Sequence, residues 1–320
     1  MHVLGAIFFN HRQRRLRALW RIGFFISIWL TLTIALLIAA KLAVLGTLDG
    51  SGEDYAFEAV CGSLSALISL WLAGRLFDRR RLVDFGLRLD RHWWLDFLVG
   101  LLLGGLAITA AVLVSLAVGW ARITDSLVVS ETVLGRGFAL NFIAFALLVL
   151  LAAAEEELLC RGYLLRNMAE GFHFTRSGPR WAVVAAVLLS SSLFGIAHAA
   201  NPNANVMGTA SAFLGGLITA VGYVMTGRLA LPIGLHATWN FFQCGVFGST
   251  VSGMDIGSPS LFVIERTGPE LWVGGAFGPE SGLLFNLAAF LTIPLIVLWA
   301  RIRTGRARLH VEIARPPDAD

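Results

Sequence analysis

FALNFIAFALLVLLAAAEEELLCRGYLL, residues 138–165, decides how the chain is to be read. It opens with an uncharged apolar run that ends at Ala154, and then places Glu155, Glu156, Glu157 and Arg161 in the same continuous segment. About 20 apolar residues suffice to cross a hydrocarbon core as a helix. A segment of this length and uniformity predicts a membrane span, since lipid forces every backbone polar group to be satisfied within a helix or a closed barrel, and barrel strands are far shorter. A charge inside a span costs about 2.5–3.5 kcal/mol even on lenient insertion scales, so the four charged side chains raise a functional reading, beside the alternative that the glutamates sit at the cytoplasmic interface and solvate the helix end.

The rest of the chain agrees with this reading. Of 320 residues, 57% are hydrophobic and 14% charged, and the mean hydropathy is +0.74. That balance excludes an ordinary soluble domain. The apolar run from Trp20 to Leu45 has no small-residue cleavage site at signal-peptide length and reads as the first span. Cys61, Cys160 and Cys244 stand alone in apolar segments, which argues against a disulfide framework or a thiolate metal site. The net charge is +4, with 24 arginines against the single Lys41. Because the arginines flank apolar runs, they read as topology signals and headgroup contacts, and no nucleic-acid partner follows.

Eight spans are expected, near 20–45, 57–77, 94–120, 138–165, 181–199, 207–226, 229–247 and 282–300, in an all-α, polytopic helical bundle. Arginines gather before span one (Arg12, Arg14, Arg15, Arg17, Arg21), after span two (from Arg75 to Arg91), after span four (Arg166, Arg176, Arg180), after span six (Arg228) and after span eight (Arg301 onward). The alternate connections, TLDGSGEDYA, NPNAN and a long loop near 250–280, are poor in arginine. Positive-inside bias therefore makes both termini cytoplasmic. The expected division is a basic N-terminal segment 1–19, a transmembrane domain 20–300 with its catalytic core in 138–249, and a cytoplasmic tail 301–320 expected to be mobile. VDFGLRLDRHWWLDF reads as a surface-lying lead into span three, with Trp93 and Trp94 in an interfacial belt. The near absence of lysine suits a multi-pass protein of a prokaryotic inner (plasma) membrane.

Three spans carry polar side chains that belong together chemically. Adjacent residues on a helix point about 100° apart, so Glu157 and Arg161, four apart, can pair while Glu156 faces elsewhere. A carboxylate in a low-dielectric cavity is a competent general base near neutral pH. His198 lies in SSSLFGIAHAANP, with Phe194 four residues before it. His236 and Asn240 share a helix face in LPIGLHATWNFF and can both donate to a developing oxyanion. Glu, two His and Asn are the groups that water-activated amide hydrolysis requires; Glu156, His198 and His236 would also make an acceptable zinc ligand set. No HExxH is present, which argues against a zincin, and no GxSxG accompanies Ser190, Ser191 and Ser192.

In order, Glu156-Glu157-x-x-x-Arg161, Phe194-x-x-x-His198 and His236-x-x-x-Asn240 resemble the three motifs of the CPBP family, the type II CAAX prenyl endopeptidases and bacteriocin-processing (Abi) proteins. The resemblance is specific over residues 150–245. It implies an intramembrane endopeptidase with eight spans and a site opening toward the cytoplasm. Glu156 would activate water with His198, His236 and Asn240 would hold the oxyanion, and Glu157 and Arg161 would orient the site. The motifs are compatible with a divalent metal such as zinc or with Glu and His alone. The resemblance also implies membrane lipids and a peptide or lipid-modified protein as partners. Glu155 shifts the possible register by one residue, and the spacing to Arg161 selects Glu156.

Simple spans leave a mismatch, because Glu156 falls low in span four and His198 high above the inner start of span five. Span four must then continue past Arg166, or span five must end within the membrane. Two other readings compete: a non-catalytic immunity or scaffold protein of the same fold, and a proton-coupled transporter using Glu156 and His198. Retention of every motif residue disfavours the first, and the lack of a second copy of the acidic cluster disfavours the second.

Overall fold

The computed structural model describes residues 7–10, 13–43, 52–129, 137–173 and 178–317. Arg12, Arg176, the stretch TLDGS (47–51), the first six residues and the last three lie outside the described residues. The long helices are α1 (Ala18–Ala43), α2 (Gly52–Ala73), α3 (Arg91–Ala117), α4 (Phe138–Phe172), α5 (Gly178–His198), α6 (Val206–Thr226), α7 (Ala230–Phe241) and α8 (Leu283–Thr304). Two short antiparallel ribbons accompany them, β1 (Phe9–Asn10) with β2 (Arg15–Leu16), and β3 (Ala121–Val128) with β4 (Ser260–Arg266).

Seven of these helices, all but α7, are long and apolar enough to cross a membrane. The segment expected as a span at 229–247 is instead a 12-residue helix continued by a π-helical stretch, Phe242–Val246. With its π-helical continuation the helix runs over 17 residues, Ala230 to Val246, about 25 Å at 1.5 Å per residue against a hydrocarbon core of about 30 Å. Ala230 to Leu235 and Ala237 are all buried, so protein rather than lipid surrounds its first half.

Glycines set the position of α7. Gly100 and Gly104, four apart on one face of α3, lie against the α7 backbone at Leu231 and Leu235, and Gly234 of α7 lies against the α3 backbone at Phe97 and Leu101. A Cβ at any of the three would strike main chain, so the helices cross at the close separation that small residues permit.

Helix α4 resolves the depth mismatch. It continues to Phe172, 35 residues in all, with a π-helical stretch at Leu158–Leu165 immediately after Glu157. That length is about 52 Å and puts Glu156 near its middle, level with the interior of the bundle. A π turn widens the helix and re-aims the side chains that follow, and such turns concentrate at functional sites.

The arginine-rich end departs from the sequence reading in three places. Arg15, Arg21 and Arg80 are buried rather than facing headgroups: Glu170 accepts from them at 2.6, 3.1 and 2.5 Å, and Asp78 accepts from Arg21 and, at 2.7 Å, from the Tyr163 hydroxyl. Two carboxylates withdrawn from water hold these guanidinium groups inside. The tail is not mobile over its described part, because Ile313 and Ala314 are buried, the His310 N–H donates to Val224 O at 2.8 Å, and Arg80 donates to Arg315 O at 2.7 Å. The lead into α3 is not a surface helix but a 3-10 turn, Leu82–Phe85, with Phe85 fully buried. Trp93 is buried and donates to Gly86 O, and Trp94 alone is exposed as expected of a belt. At the opposite end, the connection read as a loop contains β4, which pairs with β3 from Ala121↔Arg266 to Val128↔Ser260.

Candidate active site

Glu157 is the hub. It has no exposed surface, and its Oε1 accepts from Arg161 Nη1 at 3.1 Å and from His236 Nδ1 at 2.9 Å. Arg161, equally buried, also donates to Gly216 O on α6 at 2.9 Å, and its guanidinium lies 4.5 Å from the centre of the Phe194 ring on α5. One ion pair therefore ties α4, α5, α6 and α7 together. Arg161 can reach Gly216 because that residue is glycine: a Cβ there would press on Arg161 Nη2 and on Phe194.

Three consecutive glutamates on a helix diverge, and their partners differ accordingly. Glu155 turns to α1, where Trp29 Nε1 donates to it at 3.2 Å. Glu156 places Oε2 3.8 Å from His236 Nε2, and this oxygen is buried with no protein hydrogen-bond partner. Separation beyond hydrogen-bond range with one side open suits a shared water. The geometry thus keeps the register in which Glu157 pairs with Arg161 and Glu156 is the free carboxylate.

The two imidazoles are oriented by their neighbours. His198 Nδ1 lies 2.8 Å from Phe194 O, and a carbonyl only accepts, so Nδ1 carries the proton and Nε2 presents a lone pair. His236 Nδ1 likewise donates to Glu157, leaving Nε2 toward Glu156. The Phe194 ring stands between them, 4.5 Å from His198 and 6.1 Å from His236, centre to centre.

Glu157, His198, His236 and Asn240 all line one cavity of about 90 Å³, large enough for a few water molecules. Glu156 is not in its wall and meets the chamber through His236. Four of the six expected residues thus share the cavity, while Glu156 and Arg161 stand behind His236 and Glu157; Asn240 lies one helical turn beyond His236, just before the π-helical stretch that continues α7.

Glu280 is a wall residue that sequence reasoning missed. It sits in a 3-10 turn, Pro279–Ser281, just before α8; its Oε1 accepts from the Ser252 N–H at 2.5 Å and its Oε2 from Gln243 Nε2. Removal from water pushes its carboxyl up to about 7. The available signal was an acidic residue inside GPESG, a turn-forming stretch in an otherwise apolar approach to a span.

Among the described residues, no three His, Cys, Asp or Glu side chains are grouped as metal ligands. Glu156, His198 and His236 are not among such a group, although Nδ1 of each ring lies against a protein acceptor and Nε2 is left free, the orientation usual for a ligating histidine.

Fold and site together define a multi-pass helical membrane protein with a Glu, His and Asn constellation in its interior. Residues 138–242, about a third of the chain, match the family model described as Type II CAAX prenyl endopeptidase Rce1-like. The matched segment holds Glu156, Glu157, Arg161, His198, His236 and Asn240, and over this segment the chain is similar to that family. This is a family of membrane proteases, which supports a peptidase acting on peptide substrates among membrane lipids. No curated protein and no solved structure matches the chain.

Proposed function

We propose that the protein is an intramembrane endopeptidase that hydrolyses a peptide bond of a membrane-associated substrate with water activated by glutamate and histidine. The observation that carries this reading is the Glu157 carboxylate shared between Arg161 and His236, with the free Glu156 carboxylate 3.8 Å from the other face of the same ring. Water between Glu156 and the imidazoles gives its proton to Glu156 as its oxygen attacks the scissile carbonyl carbon. The His198 Nε2 lone pair helps to hold that water. Asn240 Nδ2, and His236 Nε2 when protonated, donate to the oxyanion of the tetrahedral intermediate. Glu156 then returns the proton to the amine nitrogen as the C–N bond breaks, leaving a carboxylic acid and an amine, which exchange a proton to become carboxylate and ammonium. Glu157 and Arg161 position His236 without touching substrate. We assign the protein to a prokaryotic plasma membrane with both termini in the cytoplasm, from its arginine distribution.

The test is cleavage of a quenched fluorescent peptide library by the purified full chain in proteoliposomes, alongside Glu156→Gln and His198→Ala. Both substitutions should abolish cleavage while thermal unfolding stays that of the wild type. Unchanged turnover in either removes this mechanism. Metal analysis of the active preparation, with a chelator arm, decides separately whether a metal takes part.

A further inference from the structure

The cavity is not centred between the two ends of the bundle. Five connections define an arginine-rich end, with Arg17, Arg79, Arg88, Arg180, Arg306 and Arg308 exposed there. Helix α5 starts at this end and places His198 at its far terminus, about 30 Å away at 1.5 Å per residue. Helices α6 and α8 start at the opposite end; α8 contributes to the cavity from its first half, with Asn286 three residues in, and α6 from Ser211, five residues in, to Thr219. Part of the remaining wall comes from α7, and part from the connection between α7 and α8, through Ser252, Phe277 and Glu280.

Below the Glu157–Arg161 pair the bundle is solid. Leu158, Tyr163, Phe85, Tyr223 and Leu229 are packed in one buried cluster between the site and the arginine-rich surface. Backbone seals the same level, with the Leu229 N–H donating to Gly86 O at 3.1 Å. Above the pair, polar groups are set among apolar wall residues: Asn286 Nδ2 donates to Ser211 Oγ at 2.9 Å and to Glu280 O at 2.8 Å, and nearby Asn201 Nδ2 donates to Ser252 O at 2.9 Å. Water can be held by such polar groups and is excluded by a close-packed apolar floor.

We infer that the chamber is reached from the arginine-poor face, so that its substrate is the part of a polypeptide exposed on the non-cytoplasmic side of the membrane. This inference rests on the peptidase reading above, and reverses the cytoplasmic opening that the family resemblance implied. Arginine bias retains the arginine-rich end in the cytoplasm, and the floor of buried side chains stands between that compartment and Glu157. The substrate class is a translocated or membrane-anchored peptide whose cleavage site emerges outside, rather than the C-terminus of a cytosolic lipid-modified protein.

Sealed right-side-out and inverted vesicles carrying the full chain test this. A membrane-impermeant maleimide is applied to three single substitutions: Ala212→Cys in the cavity wall, Asp255→Cys on the exposed connection beside Ser252, and Arg306→Cys at the arginine-rich end. The wild type, with Cys61 and Cys244 buried and Cys160 half-buried, gives the background. Ala212→Cys and Asp255→Cys should label at least tenfold faster in right-side-out vesicles, and Arg306→Cys at least tenfold faster in inverted ones. Ala212→Cys reacting only in inverted vesicles, or from neither side, overturns the inference, as does Asp255→Cys reacting only in inverted vesicles. The same vesicles receive the peptide library on their outer surface. Cleavage in right-side-out vesicles supports the inference, and cleavage confined to inverted ones overturns it. Absence of cleavage even in detergent removes the peptidase reading, and the labelling pattern then decides by itself from which side the chamber is reached.

Discussion

Arg161→Met is the perturbation that most directly probes the hub. The substitution keeps an apolar chain of similar reach while removing the cation beneath Glu157. Arg161 has no exposed surface and contacts Glu157, Gly216 O and the Phe194 ring at 3.1, 2.9 and 4.5 Å. Stranding one member of a buried pair costs about 3–5 kcal/mol, and a desolvated cation over an aromatic face adds about 0.5–2 kcal/mol. The unfolding equilibrium should therefore shift by about 2.5 to 5 orders of magnitude, at roughly tenfold per 1.4 kcal/mol. The companion variant Glu157→Leu/Arg161→Met removes both charges and should be more stable than the single variant by about 2 kcal/mol or more, because no ion is left unpaired. It should still be impaired in cleavage, since His236 Nδ1 loses its acceptor. The assay is denaturant-driven unfolding of the purified full chain in bicelles, read as a double-mutant cycle. A single variant within about 1 kcal/mol of wild type, or a double variant no more stable than the single, would refute the reasoning, because a buried ion pair cannot be neutral to the loss of one partner.

Two further outcomes follow from the geometry. Gly234→Leu should lower thermal stability by at least about 1–3 kcal/mol and depress cleavage, because its side chain would enter the α3 backbone and displace His236; Gly23→Ala on α1, with open space around its Cβ, is the control that should leave both unchanged. Burial raises Glu280 to about 7, so its protonated form is favoured on folding. Its stabilising contribution is then complete below its unfolded value of about 4.3 and is lost as pH rises through about 7. The midpoint of thermal unfolding should fall between pH 5 and pH 8 in the wild type and fall less in Glu280→Gln; equal slopes would dismiss the account.

Much of the site was legible in the sequence because its signals are local. The i,i+4 pairs Glu157–Arg161, Phe194–His198 and His236–Asn240 use the helical repeat, which depends on sequence spacing alone. The cost of charge in lipid made those residues stand out against an apolar background. Glu280 gave little signal because its partners, Ser252 and Gln243, come from distant parts of the chain. The same holds for Arg15, Arg21 and Arg80, whose basic context is that of topology signals until Glu170 and Asp78 are seen to meet them.

Taken by itself, the sequence determined that this is a helical membrane protein, which end of the bundle is basic, and which polar side chains stand out in its apolar segments. Hydropathy, charge placement and helical periodicity are properties of neighbouring residues and survive without a fold. Tertiary structure decided that α4 runs on past Arg166, that α7 is buried against α3, that His236 rather than His198 stands beside the glutamates, and on which side of the ion pair the space lies. Each of these depends on where two backbones meet, as at Gly100, Gly104 and Gly234, and such meetings are fixed by close packing between segments far apart in the chain.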